Sequence, residues 1–463
     1  MSMRVLEADL TYINGAFQSE IGVEVDESTG TITRIGAIKD FRGERIRLRE
    51  RALLPGFVNV HSHSFQRLMR GRTQWRPARS APSDFWSWRD EMYAAALSIN
   101  ADDIYDVARL CFLEMLLSGT TTVGEFHYLQ HDESGTPYGD PLELHKRILQ
   151  AANDVGIRIV MLNTAYVTGG VGAQIRWTQR RFNTPELDKF LDDCDELGKV
   201  TQRYQNATMG IAPHSVRAVP REWLKPLAEW ARISDVPLHM HVSEQLGEVE
   251  ACAAAYGMRP VEVLAAEGVL DGRLTAIHAT HISTHEVALL ARARAIVGAC
   301  PGTERDLGDG FLPATSLFAA GVRVAIGSDS QTIIDPLEEI RLIEYHERLR
   351  RMERVLLGTK VGDRVELAPT LLRVGAAHGA ASLRVNSGLI EPGRNADLVS
   401  VALEDLSLAG FQPENLDAVI ALSANPSIVR DVWVGGRQVI SERLHRDTTD
   451  IGQRYRDVVE RVC

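Results

Sequence analysis

A chain of 463 residues with 62 acidic and 51 basic side chains carries a formal charge of −11. At roughly 150 residues per domain, that length fits two or three units, or one large barrel with an appendage. Hydrophobic residues at 44% and charged residues at 24% exclude disorder, collagen and coiled coil as the dominant state. The negative balance argues against a polyanionic partner, so neither nucleic acid nor an anionic membrane surface is expected.

The five cysteines (Cys111, Cys194, Cys252, Cys300 and Cys463) are far apart and include no CxxC pair. Neither a disulfide framework nor a cysteine zinc site is indicated. The opening MSMRVLEADL lacks an apolar signal core, and no run of about 18 apolar residues occurs. A soluble protein of the reducing cytoplasm is expected.

The first 55 residues alternate β-rich runs (Ile21 to Val25, Ile32 to Ile35, Ile46 to Leu48) with turn signals at Ser28-Thr29-Gly30 and Arg42-Gly43. The same texture returns in Ala396 to Val401 and in Val432 to Ile440, the latter a hairpin around Gly435-Gly436. Residues 1–55 and 386–463 are therefore expected to build one small β-sandwich from both chain ends. Between them, residues 56–385 alternate short apolar runs with helical patterns, the signature of βα units. Eight strands are predicted: Phe57–His61, Thr120–Val123, Arg158–Leu162, Thr208–Ala212, Pro237–Val242, Leu274–Ala279, Ala295–Cys300 and Val322–Ser328. Helical patterns cover Ile104–Leu117 and Glu286–Arg294. This is an α/β chain with a (β/α)8 TIM barrel. An open doubly wound sheet would often show a Gly-rich loop after its first strand, where this chain has histidines.

Barrel sites form at the C-terminal strand ends. The first predicted strand ends in His61-Ser62-His63 and the fourth in Pro213-His214. The fifth carries His239-Met240-His241 with Glu244 beyond, the sixth His278, and the eighth ends in Ser328-Asp329. Residues i and i+2 of a strand share a face, so His61 and His63 both address the interior. With His241 and Asp329 they make a metal set that leaves a position open for water. His239 is expected to fill the interior below His241, and His281 and His285 to be solvated or capping. Trp86 and Trp88 are expected to pack, and Arg67 and Arg70 to be surface charges.

The run Leu54-Pro55-Gly56-Phe57-Val58-Asn59-Val60-His61-Ser62-His63, with the later motifs in order, resembles the opening of the amidohydrolase superfamily. That resemblance implies a barrel holding one or two divalent metals beside a β-sandwich built from both termini. Binuclear members carry a bridging carboxylated Lys or a Glu near the end of strand 3 or 4. Residues 158–165 and 208–215 contain neither. One metal is therefore expected, Zn2+ ahead of Fe2+.

Five segments narrow the resemblance to the N-formimino-L-glutamate deiminase family of bacterial histidine degradation. They are His63-Ser64-Phe65-Gln66-Arg67, Phe85-Trp86-Ser87-Trp88-Arg89, Glu125-Phe126-His127-Tyr128, Ala212-Pro213-His214-Ser215-Val216-Arg217 and Leu307-Gly308-Asp309-Gly310. The implied activity is hydrolytic deimination of that dicarboxylate to N-formyl-L-glutamate and ammonia. The resemblance implies Arg89 and Arg217 for the carboxylates, with Gln66, Tyr128 and His214 beside them. Asp329, Glu244 and His278 would share the proton transfers, and His214 would stabilise the reacting centre. A homodimer is the arrangement such proteins commonly take. The competing readings are an aminohydrolase acting on a purine, pterin or cyclic urea, and a catalytically silent scaffold.

Overall fold

The computed structural model describes residues 3–76 and 84–462. Eight parallel strands close into a barrel: Phe57–Ser62, Thr120–His127, Arg158–Ala165, Ala207–Pro213, Leu238–Val242, Leu274–His278, Ile296–Ala299 and Arg323–Ile326. All eight lie where the apolar runs placed them, and they read as continuous buried segments because both faces are covered. Helices cover the outside. Ala101–Leu117 joins the first two strands, starting at an Asn100 cap that accepts from the Asp103 amide. Thr284–Ala293 starts in the same way at Ser283. The helix Ala377–Ser382 closes the N-terminal end of the barrel. There Gly379 leaves no room for a Cβ against Val58, which one would approach to 2.8 Å.

The barrel closes where its eighth strand meets its first. Only one residue pair of the two strands is in register there, Ile326 with Asn59, followed by a bridge from Ser62 to Asp329. Backbone bonds Asp329 N–H to His61 O (2.9 Å) and His63 N–H to Asp329 O (3.2 Å) continue the seam.

The two chain ends meet as expected. One eight-stranded sheet runs Arg437–Ile440, Val429–Val434, Leu398–Ala402, Glu44–Pro55, Met3–Ile13, Ile21–Asp26 and Thr31–Ala37, with Ala16–Gln18 paired to Met3–Ile13. The contact between halves is the antiparallel pairing of Leu398–Ala402 with Arg51–Pro55. This sheet has its own core, including Leu6, Val23, Ile32, Leu53, Leu398 and Trp433. Gly435 and Gly436 both take positive φ (54° and 74°) in the hairpin turn, as a two-residue primed turn requires. Sheet and barrel are joined by Arg158, which donates bidentately to Asp397 at 2.7 and 3.0 Å. The C-terminal tail ends in a helix, Thr448–Val462, packed against Ala101–Leu117.

Arg67 and Arg70 are not surface charges. Both are mostly buried and converge on Glu114, at 2.7 and 3.1 Å, while Arg67 also donates to Tyr455. The carboxylate and the phenol that solvate them come from helices far away in sequence. Four cysteines are buried free thiols, and Cys463 lies outside the described residues. Among the described residues no helix is long and apolar enough to cross a membrane.

Candidate active site

A parallel barrel delivers every strand's C-terminal end to one rim, so side chains distant in sequence converge there. His61 and His63 lie two residues apart at the end of the first strand, His241 is in the fifth and His278 ends the sixth. Asp329 stands just past the eighth. The Nε2 atoms of His61 and His63 lie 3.5 and 3.4 Å from the same Asp329 oxygen, Oδ1. His241 closes the group, its ring 4.7 Å from that of His61. Ligating atoms of His61, His63 and Asp329 lie within 4.8 Å of one another, as do those of His61, His241 and His278.

The second ring nitrogens decide what this cluster can hold. His63 Nδ1–H donates to the Phe126 carbonyl (2.8 Å) and His241 Nδ1–H to the His214 carbonyl (2.9 Å). Each bond fixes the tautomer that leaves Nε2 as a lone pair. Both nitrogens of His61 and the Nε2 of His278 are buried without a hydrogen-bond partner among the described residues.

Protonation states agree with that arrangement. Burial, then the neighbouring His63, holds His61 down to about 3, and burial lowers His63 and His241 as well. Burial works to raise the Asp329 carboxyl, but contact with His61 and the charges of His278 and His63 hold it well below the usual range. Neutral imidazoles facing an ionised carboxylate are the donor set a divalent cation requires. His278 differs. Burial opposes its charged form, yet Glu244, Glu304 and Asp329 together raise it to about 10.

Glu244 stands beside His278, Oε1 to Nε2 at 3.7 Å, and its other oxygen accepts from Arg217 Nη2 at 2.8 Å. Its loop turns sharply. Ser243 has a positive φ (52°), and the buried Glu248 carboxylate accepts the Ser243 and Glu244 amides at 3.4 and 3.1 Å. The same Glu248 lies 3.8 Å from Arg217 Nε.

A cleft opens over the cluster. His63, His241 and Asp329 line it together with Gln66, Arg89, Tyr128, His214, Arg217 and Glu244. Gln66 Nε2 donates to the Tyr128 hydroxyl at 2.8 Å. The Arg89 guanidinium lies 4.5 Å from the Trp86 ring, with no carboxylate among the described residues within 4 Å. Nε and Nη1 of Arg217 are buried without hydrogen-bond partners. Every residue given a metal, catalytic or substrate role in the sequence thus stands at this rim, with His61 and His278 outside the cleft lining. Trp88 also lines the cleft, and Trp86 carries Arg89.

The other histidines are structural. His239 points down the interior to the Ser382 carbonyl (3.3 Å), His281 ties to the Asp309 carbonyl (2.8 Å), and His285 is exposed on its helix. His127 packs its ring against His145. Sequence reasoning assigned no role to four buried carboxylates around the site. Glu125 and Glu248 bind neighbouring amides, Glu304 faces His278 Nδ1 at 3.4 Å, and Asp309 is held by Gln245. Glu125 and Asp309 sat inside the quoted motifs, so the signal was present without a partner to give it meaning.

The profile of the amidohydrolase family matches residues 52–439. The chain belongs to the amidohydrolase family. This amidohydrolase is 38% identical to the formimidoylglutamate deiminase of Pseudomonas aeruginosa over 85% of its own length and 86% of the relative's. It is 28% identical to a 5-methylthioadenosine/S-adenosylhomocysteine deaminase of Haloarcula marismortui over 95% and 92%. Its fold superposes on the crystal structure of an amidohydrolase from Brucella melitensis with a TM-score of 0.89 at 32% identity, each chain 99% covered. The protein is an enzyme, a hydrolase acting on C–N bonds.

Proposed function

We propose that this amidohydrolase deiminates N-formimino-L-glutamate to N-formyl-L-glutamate and ammonia, in histidine degradation, with one zinc ion held by His61, His63, His241 and Asp329. One observation carries the substrate assignment. Two arginines line the cleft above the histidine cluster, and the buried Nε and Nη1 of Arg217 have no hydrogen-bond partner among the described residues. An unpaired buried guanidinium donor costs free energy that a carboxylate ligand returns. A planar fork suits a carboxylate better than a neutral heterocycle. Kinship with the deiminase of Pseudomonas aeruginosa supports the same reading.

In the reaction, a C–O bond forms between water and the formimino carbon, and the C–N bond to the terminal nitrogen breaks. Both water protons leave the oxygen as it becomes the formyl carbonyl, and both reach the imino nitrogen, which departs as ammonia, so atoms and charge balance. Zinc supplies an acidified water, of pKa about 7, as the nucleophile at neutral pH. Asp329, ionised in its pocket, accepts the first proton. Glu244, next to His278, carries a proton to the leaving nitrogen, and His278 orients the water. Arg217 binds Glu244 in this structure, so the incoming carboxylate takes up the remaining face of that guanidinium.

The test is product analysis on N-formimino-L-glutamate with zinc-loaded protein. The reading predicts stoichiometric ammonia and N-formyl-L-glutamate. Glutamate and formamide instead would mean that the other C–N bond breaks, and would contradict it.

A further inference from the structure

At the rim past the eighth strand, Asp329 and Gln331 both take left-handed φ, 49° and 63°, though neither is glycine. Such conformations persist only when the surroundings hold them. What holds them is a buried polar lattice across the barrel seam, where the two strands share a single residue pair in register. The two Nε2 hydrogens of Gln331 go to the Asp329 carbonyl (2.8 Å) and to Ser62 Oγ (3.0 Å). Its Oε1 accepts from Ser328 Oγ at 2.9 Å, and its own carbonyl accepts from Arg70 at 2.7 Å.

Glu125, from the second strand, completes the lattice. Its Oε2 accepts from Ser62 Oγ at 2.6 Å, and its Oε1 accepts from the Ser64 amide and hydroxyl at 2.7 and 2.6 Å. Every one of these bonds ends on a residue adjacent to His61 or His63. Glu125 touches no cleft surface and is 1% exposed, so it is outside the reacting chemistry. Ser62 is the joint, because its hydroxyl donates to Glu125 and accepts from Gln331. One hydroxyl therefore links the segment carrying His61 and His63 to the turn carrying Asp329.

We propose that Glu125 and Gln331, joined through Ser62, are positioning residues that hold the His61–His63 segment and Asp329 in register for one divalent ion. The inference rests on the zinc site proposed above. The lattice ties together three donors carried by two strands, and so makes the site stiff. Loss of an outer partner of this kind typically costs about 10- to 100-fold in metal affinity.

The experiment measures the zinc dissociation constant by chelator competition for wild type, Glu125→Gln and Ser62→Ala, with the visible spectrum of the cobalt-substituted proteins. Melting of the zinc-saturated variants checks that they fold, and Ser62→Ala carries the comparison if Glu125→Gln does not. Expected are one zinc per wild-type chain, dissociation constants raised about 10- to 100-fold in the variants, and a shifted cobalt spectrum. A wild type that binds one zinc, with folded variants that match its affinity and spectrum, overturns this inference alone. A wild type that takes up no divalent metal overturns the zinc site and this inference together.

Discussion

Arg217 serves two partners. One N–H group holds the Glu244 carboxylate at 2.8 Å, and the side chain also lines the cleft, where we propose that a substrate carboxylate lies. Charge-assisted hydrogen bonds are each worth about 1.5–3 kcal/mol. Arg217→Met should therefore raise KM by about 10- to 100-fold while the bound zinc stays at one per chain. Steady-state kinetics paired with metal analysis checks this, and an unchanged KM would remove Arg217 from substrate binding. The residues that approach the metal directly were legible because strand periodicity alone puts His61 and His63 on one face. Glu248 and Glu304 were not. Their work depends on the Ser243 turn and on His278, and no local pattern says that a carboxylate in the first turn of the helix after its own strand, or after a later strand, will bend back to a strand end.

Strand and helix positions were readable where an element is buried on both sides. The eight barrel strands are continuous apolar runs, and the helix Ala101–Leu117 has a cap and a helical stripe. Met3–Ile13 escaped notice because its burial is irregular and its alternation broken, although it is a central strand of the terminal sheet. The join between sheet and barrel was equally invisible, being an ion pair between Arg158 and Asp397, far apart in sequence. Asp397 is fully buried and also accepts from Ser387 Oγ and the Gly435 amide, both at 2.7 Å. Burial would raise its carboxyl, but Arg158 and these donors hold it below the usual value. A depressed folded pKa gives stability that is complete above the unfolded value of about 3.9 and disappears as pH falls through the folded one. Asp397→Asn should cost about 3–5 kcal/mol at neutral pH, since it strands a buried guanidinium. Melting curves from pH 7 down to pH 3 should show the gap between variant and wild type closing in acid. A gap independent of pH would show that the pair contributes nothing through its charge.

At the scale of the molecule, a net charge of −11 said only what the protein would avoid. Two of the basic residues, Arg89 and Arg217, line the cleft beside the carboxylates Glu244 and Asp329. Around the histidine cluster Glu244, Glu304, Asp309 and Asp329 are all buried within the rim. A divalent cation held there would relieve that crowding and so link metal binding to folding. Protein stripped by a chelator should regain about 2.7 kcal/mol of stability with zinc at 100 times its dissociation constant, seen as a rise in Tm. A Tm that ignores zinc would argue that the cluster holds no ion.

The most direct measurement of the central claim is the ratio of kcat/KM for N-formimino-L-glutamate to that for 5-methylthioadenosine, on zinc-loaded protein under one set of conditions. Two charge-assisted carboxylate contacts at about 1.5–3 kcal/mol each predict a ratio above about 100 in favour of N-formimino-L-glutamate. Faster turnover of the purine nucleoside would contradict the account.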